Sequence, residues 1–313
     1  MKTNIRKISA IVCSLVVLTT AVCSSSLFTT AQSTPETTKE SLDIVEFNCD
    51  TGTTREYTFE YDSIDINAPG AAQMLTSAPE QCTTEKTTSD ISTRNILPNS
   101  SFGKVNATVS PYRKVLYIRS YGDSDGNGQN DYVEYGTAFL VHDDLALTAA
   151  HCVMEDGKYS TRMEIYTKQN SKTLNSTYYS PKQWSIPVNY SQNGNINYDW
   201  CIIKLKNNLG SSNSLGHFEY KVPTATEKIF VNGYPTDTTY RYFQCMGQGN
   251  FSLESGGFVL VHTASTMTGM SGGPVYNKSE YVVGIQRSGG SSYNYACKIT
   301  QALYNLIETC KNE

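Results

Sequence analysis

From Val115 to about Gln286 the apolar residues arrive in short runs broken by turn residues, and this spacing restricts that part of the chain to an all-β fold. Val115-Leu116-Tyr117-Ile118 reads as a strand, as do residues 137–141, 163–167, 201–205, 229–231, 258–262 and 281–286. Helical spacing appears at residues 299–309, where Ile299, Leu303, Leu306 and Ile307 share one side and Thr300 stands as N-cap. A chain of 313 residues has room for a substantial core, in one large domain or two smaller ones.

The densest chemical signal is Thr266-Met267-Thr268-Gly269-Met270-Ser271-Gly272-Gly273-Pro274-Val275. Glycines at 269 and 272 permit a tight turn that leaves the Ser271 hydroxyl open, with the amides of Gly269 and Ser271 converging beside it. Taken alone, the stretch is also compatible with a Gly/Ser-rich surface loop. A nucleophilic serine needs a base and an orienting acid, and the chain supplies both. His151 follows Leu147-Thr148-Ala149-Ala150, and Asp199 heads the buried-looking run Cys201-Ile202-Ile203-Lys204-Leu205. His142, His217 and His262 compete for the base role, and Asp143, Asp144 and Asp156 for the acid. None of these histidines follows a Thr-Ala-Ala run, and the aspartates sit in turns.

These three segments, in this order, resemble the chymotrypsin-like serine peptidases from about Ser101 to the C-terminus. Pro111-Tyr112-Arg113, Val231-Asn232-Gly233-Tyr234-Pro235 and Gly289-Gly290-Ser291-Ser292-Tyr293-Asn294 resemble the bacterial glutamyl endopeptidase (V8-like) branch. The resemblance implies two six-stranded Greek-key β-barrels with a C-terminal helix and the cleft between them. It implies catalytic His151, Asp199 and Ser271, an oxyanion hole of Gly269 and Ser271, and protein or peptide substrates. It also places Ser265, Thr266, Gln286 and Arg287 at the substrate pocket. Trypsin's pocket aspartate is replaced by Ser265, so Lys or Arg is not the expected substrate residue; Thr266 matches a threonine that binds substrate carboxylates. The branch's pocket histidine is replaced by Gln286, which brings no charge, with Arg287 beside it. Glu or Asp at P1 is the leading expectation. Met270 replaces the aspartate that pairs with the new N-terminus in the trypsin branch, so activation cannot use that ion pair. The reading from another class is a non-catalytic binding protein on a trypsin-like fold.

Upstream, Lys2, Arg6 and Lys7 precede an apolar run from Ile8 to about Val22, which reads as a secretory signal over residues 1–31, cleaved somewhere in 23–31. The mature protein is expected to be secreted, with no membrane anchor and as a monomer. Residues 32–94 carry 12 acidic and 4 basic side chains, against 17 and 18 from Asn95 onward. The acidity thus belongs to the upstream segment, and a balanced remainder without basic clusters excludes nucleic acid as the main partner. By position and resemblance, residues 32–98 form a Thr/Ser-rich propeptide that assists folding or blocks the cleft, and residues 99–313 form the peptidase domain. A disordered spacer is the alternative. Alternation at Tyr57-Thr58-Phe59-Glu60-Tyr61 suggests some strand, 83–93 a linker, and 95–101 the start of the mature chain.

Relatives often bridge the cysteine after the histidine to one near Tyr135. That partner is missing here, which leaves Cys152 as a buried thiol, and Cys201 is expected to pack likewise. Pairing among Cys245, Cys297 and Cys310 is open. No cofactor is required for the chemistry. One twelve-residue stretch, Asp123, Asp125, Asn127, Gln129, Asp131 and Glu134 with Gly128 at the sixth place, fits a calcium loop or, equally, a polar hairpin.

Overall fold

The computed structural model describes residues 37–64, 94–97, 100–254 and 256–312. The expected signal, the linker at 83–93, Cys13, Cys23, Cys82 and part of the maturation window (Pro98, Asn99) lie outside the described residues.

Two long strands, β1 (Thr37–Asn48) and β2 (Thr53–Ile64), form a hairpin, followed by the short β3 (Arg94–Asn95) and β4 (Phe102–Lys104). Next come β5 (Val115–Gly122), β6 (Tyr132–Leu140), β7 (Leu145–Thr148), β8 (Met154–Glu155) and β9 (Lys158–Tyr159). β10 (Arg162–Tyr166), β11 (Pro181–Pro187) and β12 (Cys201–Leu205) complete the first half, with helix α1 (Val188–Asn193) between the last two. After α2 (Leu209–Ser212) come β13 (Glu219–Tyr220), β14 (Lys228–Gly233), β15 (Cys245–Leu253) and β16 (Val259–His262). The chain ends with β17 (Thr266–Met267), β18 (Pro274–Asn277), β19 (Tyr281–Gly289), β20 (Asn294–Lys298) and helix α3 (Gln301–Cys310).

Six strands, in the order β10-β5-β6-β7-β12-β11, make the first barrel, and an Ile165–Tyr179 bridge brings its two ends together. Another six, β19-β18-β14-β15-β16-β20, make the second, closed by pairing of β20 back onto β19. Sequence periodicity alone gave only an all-β chain; the two six-stranded barrels and the single C-terminal helix match what the resemblance implied. Val115 to Ile118 are all buried because β5 is covered on both sides. Leu116 and Ile118 belong to the first core, while the Tyr117 ring packs outward against Tyr234 and Tyr242 of the second half. Val231, Phe251, Leu260, Met270 and Val283 fill the second core. Each such side chain contributes about 1.5–3 kcal/mol on full burial, so a single charge inside either barrel would be costly. Helix α3 begins where its cap was expected: Thr300 Oγ1 accepts from the Leu303 amide at 3.2 Å. Leu303, Leu306 and Ile307 bury its inner face.

Within the upstream segment, the described hairpin β1–β2 adds to the edge of β11, extending the first sheet to eight strands. All six described cysteines are free thiols, which answers the pairing question for Cys245, Cys297 and Cys310. Cys152 is buried against Gly136, where an added Cβ would lie 2.7 Å from its sulfur.

Candidate active site

β7 delivers the chain into a 3₁₀ turn, Ala150–Cys152, that sets His151 at the barrel's edge. A second 3₁₀ turn, Ile196–Tyr198, places Asp199 just before β12, which pairs with β7. Adjacent strand ends thus bring together side chains 48 residues apart. Asp199 accepts twice from His151, through Oδ1 from the backbone N–H at 2.9 Å and through Oδ2 from Nδ1 at 2.8 Å. The aspartate side chain is 4 % exposed and the imidazole 35 %. Burial alone would lower the imidazole's pKa, but the Asp199 carboxylate overrides it and holds His151 well above its ordinary 6.5. The converse holds for Asp199: burial opposes ionisation, yet the His151 charge and hydrogen bonds keep its carboxyl below the ordinary range.

Ser271 enters from the second barrel on the loop between β17 and β18. Gly269 and Gly272 have φ values of +93° and +81°, in the region that favours glycine. A Cβ on Gly272 would stand 2.1 Å from both Thr137 O and Thr148 Oγ1, so the loop is pressed against the first barrel there. Ser271 Oγ donates to Arg287 O at 3.2 Å rather than to His151, a looseness common when no substrate is bound. The Gly272 amide is occupied by Gln286 O at 2.7 Å. Those of Gly269 and Ser271 make no hydrogen bond among the described residues and are free to donate.

Thr137 is the residue that the sequence reading missed. Fully buried on β6, it donates from Oγ1 to Gly269 O at 2.9 Å and accepts there from the Tyr234 amide at 2.9 Å. Its own amide donates to Ser271 O at 2.8 Å, and its carbonyl accepts from Thr148 Oγ1 at 2.7 Å. One side chain and one peptide unit thereby fix the nucleophile loop to the first barrel. The available signal was a polar residue inside the apolar run 136–141.

Ser265, Thr266 and Gln286 are all buried beside this loop. Ser265 Oγ accepts from the Leu97 amide at 2.8 Å, its own amide donates to Ser100 Oγ at 2.9 Å, and Thr266 pairs with Asn95. Residues 94–97 and Ser100 therefore lie along this strand. Gln286 Oε1 meets His262 Nε2 at 2.8 Å, and its amide donates to Ser288 O at 3.2 Å. Burial pushes the His262 pKa down to about 4 despite the Gln286 bond, so this histidine is a neutral partner of the glutamine. Arg287 sits at a bulge of β19 between Gln286 and Ser288, and its guanidinium donates to Ile196 O at 3.0 Å and Ser288 Oγ at 3.2 Å. It thus tethers the turn that carries Asp199. Met270 is fully buried in the second core, with no ion pair to make.

The competing groups are engaged elsewhere: His142 with Asp144 at 2.8 Å and His217 with Asp143 at 3.8 Å. In the presumed calcium loop, Asp123, Asp125 and Asp131 come within metal-binding reach of one another. Glu134 sits within β6 opposite Ser120, outside that group of three. Gly126, Asn127 and Gly128 amides all donate to the Asp123 carboxylate.

Residues 136–285, just under half of the chain, match the family model described as a trypsin-like peptidase domain. A glutamyl endopeptidase of Bacillus licheniformis is 26 % identical over 225 residues, covering 66 % of each chain. A Bacillus subtilis protein named extracellular metalloprotease is 25 % identical over 241 residues, covering 73 % of this chain and 74 % of that one. Among solved structures, a Glu endopeptidase in complex with MPD superposes with a TM-score of 0.60 at 25 % identity, over 70 % of this chain and all of that one. The protease Anisep from Arthrobacter nicotinovorans shares the fold, with a TM-score of 0.55 at 17 % identity over 68 % of this chain and all of its own. The trypsin-like peptidase match and the two-barrel fold make the chain a serine endopeptidase, similar to the chymotrypsin-like serine peptidases near the V8-like branch.

Proposed function

We propose that His151, Asp199 and Ser271 perform two-step acyl transfer on peptide bonds. His151 takes the Ser271 proton as the hydroxyl attacks the scissile carbonyl, then returns it to the leaving amine; water hydrolyses the acyl-enzyme by the same route. Asp199 fixes the imidazole tautomer and stabilises the imidazolium. The free amides of Gly269 and Ser271 form the oxyanion hole, worth about 3 kcal/mol per donor. The observation that carries this reading is the doubly bonded, buried Asp199 beneath a part-exposed His151. Arg287 acts as a positioning residue, its carbonyl on the nucleophile and its guanidinium on the Asp199 turn.

The enzyme is exported as a precursor and acts outside the cell. The name of the Bacillus subtilis relative supports this, and no described helix is long and apolar enough to cross a membrane. Glu or Asp is preferred at P1, through Thr266 and the uncharged Gln286 amide; the glutamyl endopeptidase relatives support that choice. A pocket with neutral donors but no cation separates Glu from Gln poorly, because both side chains present an oxygen acceptor to it. Calcium, where bound, is structural and is held by Asp123, Asp125 and Asp131.

Cleavage of a peptide library by the purified mature protein and by Ser271→Ala tests the whole reading. Cuts after Glu or Asp that vanish in the variant are expected. Triad-dependent cuts after other residues would overturn the specificity, and cuts that persist in Ser271→Ala would overturn the mechanism.

A further inference from the structure

The hairpin β1–β2 is built like a structural element of the first barrel. β1 pairs with β11 from Ile44 opposite Pro187 to Asn48 opposite Gln183. Leu42, Ile44, Val45 and Phe47 are all buried, so both faces of the strand are covered. The Phe47 ring stacks on Trp184 at 4.5 Å with 9° between planes. Glu46, 8 % exposed, accepts from Arg55 Nε at 2.7 Å and from Gln183 Nε2 at 2.9 Å, so its charge is paired within the sheet. Lys206 pairs with Asp50, and Asn305 of α3 donates to Asp62 O at 3.3 Å. None of these contacts touches His151, Ser271 or Gln286. Without the hairpin, β11 would present an open strand edge carrying Trp184 and Ile186, the kind of edge that natural sheets cover or blunt.

We propose that the edge of β11 is a permanent docking surface whose partner is the chain's own segment 37–64, and that maturation yields a two-chain enzyme. The step is hydrolysis of one peptide bond between residues 95 and 101. One water is consumed, leaving a carboxylate on the hairpin-bearing chain and an amine on the catalytic chain. The inference rests on the precursor reading above. Segment 94–97 is the part that leaves Ser265 and Thr266 on activation, while the hairpin stays. Retention also supports the site, because α1, which follows β11, packs on β1 and leads into the Asp199 turn.

The test uses the full chain, cut within 95–101 by a trace of added endopeptidase and examined by size exclusion and native mass spectrometry. The hairpin-bearing fragment is expected to travel with the catalytic chain at equal stoichiometry, and to leave in urea. A fragment that separates in buffer, with the catalytic chain monodisperse and active, overturns the proposal. In the chain carrying Val45→Asp and Phe47→Asp, the cut fragment should be lost and the half-life of activity should fall on the order of tenfold; an unchanged half-life after loss overturns it too. Retention measured on Ser271→Ala needs no nucleophile, so the two readings fail separately: failure of the peptidase reading would appear as peptide cleavage that persists in that variant, and failure of the docking proposal as loss of the fragment from it.

Discussion

The two halves of the proposed active site are made by different means. On the first barrel, His151 and Asp199 are defined by charge: a buried carboxylate is held ionised by a paired imidazole, and each group's pKa depends on the other. On the second, Ser271 is defined by space: two glycines with positive φ press a loop against Thr137 and Thr148, with no ionised side chain taking part. The first half should therefore respond to pH and to isosteric charge loss, the second to the addition of a single carbon.

The largest effect expected is from Asp199→Asn, which keeps the shape and removes the charge; kcat should fall by about 10⁴. Activity needs neutral His151, whose pKa is raised above 6.5, so kcat/KM should decline as pH drops through a value above 6.5. In Asp199→Asn that limb should move to lower pH, and a limb that stays put would break the charge account. Gly272→Ala is the matching probe of the second half. Its Cβ has no room beside Thr137 O and Thr148 Oγ1, and displacement of the oxyanion amides should cost about 10²–10³ in kcat with an unshifted pH profile.

His262 qualifies the contrast, since it places a titratable group behind the second half. Its folded pKa is near 4 against an ordinary 6.5, so the unfolded chain takes up this proton first as pH falls. The stability it contributes is full above 6.5 and is lost towards pH 4, by roughly 3 kcal/mol. Urea unfolding of His262→Gln at both ends of that range should show a correspondingly smaller pH dependence. Gln286→His should raise the preference for Glu over Gln at P1 by roughly tenfold, about 1.4 kcal/mol, when assayed with paired peptides; no change would move Gln286 out of the pocket. Smallest is calcium at Asp123, Asp125 and Asp131, where saturating ion should lift Tm by about 2–4 °C over the chelated protein. Asp125→Asn should abolish that difference.

Each half of the site was legible to the extent that its logic is local. The run from Leu147 to His151, the aspartate ahead of Cys201 and the Gly-Met-Ser-Gly-Gly turn are short, and their chemistry follows from adjacent residues. Thr300 as a helix cap is legible for the same reason. The direction of Arg287 was open in the sequence because it depends on a strand bulge and on a carbonyl 91 residues away. The place of Glu134 within β6 was not legible because a loop template does not reveal where a strand begins.

The sequence by itself determined the strand class and the order of the three catalytic-looking residues, because these depend on residue type and spacing; Gln286 in place of a charged pocket residue is what the resemblance implied. Only the tertiary structure decided that Thr137 holds the Ser271 loop, that neutral His262 stands behind Gln286 and that the hairpin at 37–64 extends the sheet of the first barrel. Each of these is a contact between distant strands, and register between such strands is set by packing of the whole sheet rather than by any local pattern.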